Sequence, residues 1–104
     1  MSDHWQRGVE KFVEEYSMEA PVPQRLLDLL SELGELAKEE LKRSDYGRVP
    51  SGRRSEEWNA ELGDVLFSLI CLANSTGVDL DGALAQTLEK YQRRMAERGT
   101  AGSG

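Results

Sequence analysis

Cysteine and histidine occur once each, as Cys71 and His4. A lone cysteine cannot close an intrachain disulfide, which excludes a disulfide-built secreted scaffold and makes a reducing, cytoplasmic setting the expectation. Flanked by Ile70 and Leu72, Cys71 reads as a small core residue. A lone histidine at the fraying start leaves no Glu-x-x-His motif of the kind that di-iron and di-manganese helical bundles use. Positive charge is also scarce: 13 lysines and arginines stand against 19 acidic residues, for a net charge of −6. That balance argues against nucleic acid or an anionic membrane as a partner. The longest apolar run, Val65 to Ala73, is interrupted by Ser68 and falls well short of the roughly 20 residues a bilayer span requires. No basic start followed by an apolar stretch opens the chain, so a secretory signal is not expected. Strand-like alternation is missing throughout, and the class is read as all-α.

What is present is helical periodicity. Trp5, Val9, Phe12, Val13 and Tyr16 recur at steps of three and four, predicting a first helix from about Ser2 to Tyr16 that Ala20-Pro21-Val22-Pro23 ends. A second, long helix follows to about Arg43, with Pro23 tolerated in its first turn and Leu26, Leu27, Leu29, Leu30, Leu33, Leu36, Ala37 and Leu41 forming a broad apolar stripe. Ser44 to Arg54 is rich in turn formers and reads as a flexible connection. Ser55 is the predicted N-cap of a third helix that stops at Gly77, and Asp79 or Asp81 caps a fourth that closes near Gly99. One domain over 1–98 and a loose tail over 99–104 are expected. The third helix has no charge between Val65 and Ala73, and a helix apolar all round must be covered all round. In a chain of 104 residues this predicts an antiparallel bundle of about four helices whose core is completed by oligomerisation, as a homodimer or a dimer-of-dimers tetramer.

Chemistry concentrates in two strings, Glu32-Leu33-Gly34-Glu35 and Glu61-Leu62-Gly63-Asp64. Residues three apart share a helix face, so each string sets two carboxylates side by side within an apolar run. Ionised carboxylates near a core repel one another and lose hydration unless a cation compensates them. An antiparallel second and third helix would bring the two pairs face to face, with Glu39 and Glu57 one turn away. An oxygen-only set of this kind suits a hard cation, Mg²⁺ with Mn²⁺ as the alternative. The plain alternative is a solvated acidic face, against which the embedding of Glu61 and Asp64 among Leu62, Val65 and Leu66 weighs.

The ordered pattern Glu-x-x-Glu, loop, Glu-x-x-Asp resembles the MazG-like nucleotide pyrophosphohydrolases, and the similarity runs from about Leu26 to Arg94. The resemblance implies an all-α hydrolase acting on the α–β phosphoanhydride bond, converting a nucleoside or deoxynucleoside triphosphate and water to the monophosphate and pyrophosphate, as in nucleotide-pool house-cleaning. It implies that Glu32, Glu35, Glu61 and Asp64 are the metal-holding and catalytic acids. Lys90 and Arg94, four apart on the last helix, match the family's phosphate-contacting ending, and Lys38 is a further candidate. Ser31 and Glu57 depart from the pattern, standing where many relatives carry a glutamate and a basic residue. Tyr16, Tyr46 and Trp58 could stack on a base, although helical spacing favours core for Trp58. Two other readings stand beside this one: a pyrophosphatase of the phosphoribosyl-ATP type, and a non-enzymatic helical oligomerisation module.

Overall fold

Four helices make up the computed structural model, which describes residues 2–52 and 56–99: α1 (Ser2–Glu15), α2 (Val22–Arg43), α3 (Glu56–Ser75) and α4 (Leu80–Arg98). Among the described residues there is no strand, in keeping with the all-α class. Ser55 as a cap, Arg54 in the connection and the tail beyond Gly99 lie outside the described residues.

The breaks follow local chemistry. Pro21 holds an extended backbone (φ −64°, ψ 156°) as the N-cap of α2 and offers no side-chain acceptor to the first turn. Gly77 adopts a left-handed φ of 69° after α3, the conformation an L side chain disfavours, while the Val78 amide reaches back 2.9 Å to the Ala73 carbonyl. Asp79 then caps α4 by accepting from the Gly82 amide at 3.3 Å.

The connection after α2 is more ordered than its composition predicts. Ser44 is buried; its hydroxyl donates to the Glu40 carbonyl and accepts from the Gly47 amide, while Tyr46 and Val49 amides return to Leu41 and Ser44. From Ser44 to Val49 the connection is a hydrogen-bonded turn, because a serine supplies the local partners that the turn needs.

α3 packs against both α2 and α1, and α4 rests on α1. Gln6 fastens α1 to the α3–α4 turn: its side-chain amide donates to Asn74 Oδ1 at 3.0 Å and the Val78 carbonyl at 2.8 Å, and its oxygen accepts from the Leu80 amide at 2.8 Å. Phe12 meets Phe67 edge-on, with ring centroids 6.0 Å apart. α4 turns by 101° from α3 instead of folding back along it. Among the described residues no single helix is long and apolar enough to cross a membrane.

Among the described residues the buried apolar side chains are Ile70, Cys71 and Ala73, all in the uncharged tract of α3. Around them the chain is open, with a radius of gyration of 16.8 Å, where a compact chain of this length would have about 13 Å. Leu27 and Leu30 on α2 remain 61% and 66% exposed, and Leu84, Leu88 and Met95 on α4 are each more than half exposed.

Candidate functional site

The register of α2 against α3 decides whether the acids meet. Arg25 and Asp28 act electrostatically on Cys71, whereas Glu32 feels Asp64 and Glu61. Moving seven residues toward the carboxyl end of α2 thus moves about seven toward the amino end of α3, which is antiparallel packing. Seven residues are close to two full turns, so the same face of each helix is presented at both levels. The two acidic strings therefore face each other across the α2/α3 groove.

Within each string the partners differ in burial. Glu32 and Glu61 are half-buried, while Glu35 and Asp64 are exposed. A three-residue step falls short of a full turn, so one member lies against the neighbouring helix and the other at the groove edge. The sequence expectation placed both members against the packing surface; one of each pair is there.

Glu32 carries the electrostatic signature of the cluster. Partial burial raises its carboxyl above the ordinary value of 4.5, and the carboxylates of Glu35, Asp64, Asp28 and Glu61 raise it further, in that order. Asp28, one turn before Glu32, was not among the sequence candidates. Its i, i+4 spacing was the available signal, but it lies outside the Glu-x-x-Glu string. Glu61 contributes a second sign of incompleteness, since its Oε2 is buried without a hydrogen-bond partner. An orphaned buried carboxylate oxygen is costly and calls for a donor or a cation.

These residues fit a hard cation chemically: the donors are all oxygens, one is unsatisfied, and their mutual field is unfavourable until positive charge enters. They are not a closed cage. Among the described residues no three His, Cys, Asp or Glu side chains stand together as an ion-holding group.

The cationic candidates are placed elsewhere. Lys38 is exposed on α2, one turn beyond Glu35. On α4, the Lys90 ammonium lies 5.2 Å and the Arg94 guanidinium 5.9 Å from the ring centroid of Tyr91, a shared cation–π platform. Among the described residues, the charged groups that act on Glu32 are the carboxylates of Glu35, Asp64, Asp28 and Glu61. Trp58 is half-buried, Tyr16 is exposed and tilted against Phe12, and Tyr46 is exposed at the turn after α2.

Comparison with known proteins places the chain in a family. The chain is 36% identical over 96 residues to a Bacillus subtilis (strain 168) protein described as uncharacterized protein YpjD, covering 90% of this chain and 82% of that relative. No solved structure matches the chain significantly. The family model of the MazG nucleotide pyrophosphohydrolase domain matches residues 23–98, a span that holds all but the first residue of α2, the whole of α3 and α4, and all four acids. The chain belongs to the MazG nucleotide pyrophosphohydrolase family.

Proposed function

We propose that this protein is a Mg²⁺-dependent nucleoside triphosphate pyrophosphohydrolase that cleaves (d)NTP to (d)NMP and pyrophosphate. The observation that carries the reading is the acidic cluster at the α2/α3 groove: the Glu32 carboxyl is raised by desolvation and then by four neighbouring carboxylates, and Glu61 keeps a buried oxygen unpaired. The family match supports the same chemistry.

Glu32, Glu35, Glu61 and Asp64 would hold the metal, with Mn²⁺ as a substitute. When bound, a divalent cation supplies positive charge against the triphosphate and acidifies water. The reaction is an in-line displacement: a water oxygen bonds to the α-phosphorus, the α–β anhydride bond breaks, and pyrophosphate leaves with the bonding electrons. A carboxylate of the cluster accepts the water proton. Lys90 and Arg94, with Lys38, bind the departing pyrophosphate by charge-assisted hydrogen bonds.

The open α4 and the exposed leucine face of α2 support a second part of the reading. A further copy of the chain covers these faces, as a homodimer or a dimer of dimers, and brings α4 cations toward a neighbouring cluster. The extended chain dimensions and the small buried core support self-association over a lone chain.

Product identity and metal linkage test the proposal. Incubation of dNTPs with Mg²⁺ should yield monophosphate and pyrophosphate, and Glu35→Gln or Asp64→Asn should lower turnover by at least about a hundredfold while leaving the metal-free fold intact. Mg²⁺ should raise the melting temperature of the wild type and not of these variants. Diphosphate and phosphate as products, or unaltered turnover in both variants, would refute it.

A further inference from the structure

A second cavity opens two turns along the same groove. It has a volume of about 510 Å³ and lies where α1, the start of α2 and the end of α3 meet. Arg25 lines it and is 7% exposed. Of the five N–H donors of a guanidinium, only one has an acceptor among the described residues: Nη2 donates to the Met18 carbonyl at 2.5 Å, and Nε is buried without a partner. No described carboxylate forms an ion pair with Arg25. The amino end of α2 borders the same space, and its Pro21 cap supplies no side-chain acceptor. The guanidinium of Arg25 thus lines the cavity with donors that lack the acceptor burial requires.

Charge narrows the occupant. Glu10, Glu14 and Glu19 also line the cavity, so its formal charge is negative despite Arg25. A phosphate or free carboxylate would be repelled by three glutamates, whereas an uncharged group bearing a carbonyl satisfies Arg25 without that penalty. Val13, Pro21 and Val22 add an apolar wall, as a flat heterocycle prefers. Position narrows it again: Arg25 is seven residues before Glu32, and Cys71 seven after Asp64. The cavity therefore lies about 10 Å along the groove from the acids that would take the triphosphate, on the scale that separates phosphates from base in a nucleotide.

We infer that this cavity receives the substrate's nucleobase and that Arg25 donates to an exocyclic carbonyl oxygen of it, so that carbonyl-bearing bases are selected over adenine. The inference rests on the pyrophosphohydrolase reading and adds the base class to it. Nothing in the acidic strings or in the α4 cations specifies a base.

The discriminating substrates are dITP and dATP, which differ in presenting a carbonyl or an amino group at the purine 6-position. Wild-type kcat/KM should favour dITP by about tenfold or more, the scale of one unmatched buried hydrogen bond. Arg25→Met should bring the ratio within about twofold, chiefly through KM for dITP. Should that variant fail to fold, Ser75→Phe, at an exposed position on the cavity wall, should reduce the same preference by obstructing the pocket. A wild-type ratio near one, or a preference unchanged in Ser75→Phe and in folded Arg25→Met, overturns the inference while leaving the hydrolase reading intact. If no triphosphate is cleaved, metal-free calorimetry with inosine and adenosine decides: binding of inosine alone supports the pocket, and binding of neither or of both equally overturns it.

Discussion

Glu32 shows how a single side chain can report on a site. Its carboxyl lies above its ordinary value because folding desolvates it and places four carboxylates within electrostatic reach. A carboxyl raised in the folded state destabilises the fold when ionised. That penalty is absent below the unfolded value near 4.5 and grows as pH rises through the raised folded value. The metal-free melting temperature should therefore gain a component on acidification toward that window, and Glu32→Gln should remove it. Thermal melts across pH on both proteins check this, and superimposable profiles would show that Glu32 carries no such strain. Of the residues involved, the four acids were legible because their spacing is local. Asp28 and Arg25 were not: the first sits outside the repeated string, and the second hides in a leucine-rich stripe whose burial depends on a partner helix.

At the scale of elements, caps and turns hold the site's geometry. The α3–α4 turn combines the left-handed Gly77 with the Asp79 cap, and Gln6 of α1 ties to the same turn through three hydrogen bonds. Gly77→Ala should cost about 1 kcal/mol by forcing a side chain into that backbone region, and Asp79→Ala about 1 kcal/mol by stripping the cap. Chemical denaturation midpoints measure both, and no loss in either would remove the turn as the device that sets α4. Helix ends were readable from proline, glycine and aspartate because capping is a property of a few adjacent residues. The 101° departure of α4 was not, since periodicity gives a helix its apolar face but no direction relative to its neighbours.

For the whole molecule, exposed hydrophobic surface is the dominant fact. The pocket bounded by Pro23, Leu26, Leu27, Leu29, Leu30 and Leu33 has a volume of about 590 Å³ and almost wholly apolar walls. Such a face exposed on an isolated chain favours association. Leu30→Glu, at a position already 66% exposed, should leave the helices formed and lower the oligomeric state. Analytical ultracentrifugation, paired with far-UV circular dichroism, reads the two separately. A mass unchanged by the substitution would place the interface elsewhere.

By itself the sequence determined the helices, their ends, the uncharged centre of α3 and the two acidic strings, because each depends on spacing within a turn or two of one helix. Only the tertiary structure decided that α2 and α3 run antiparallel in the register that faces Glu32 toward Glu61 and Asp64, that one acid of each pair is half-buried, and that Arg25 is enclosed beside a cavity. Those outcomes depend on how far one helix slides and rotates against another, which is set by contacts between residues distant in the chain and leaves no periodic trace within either segment.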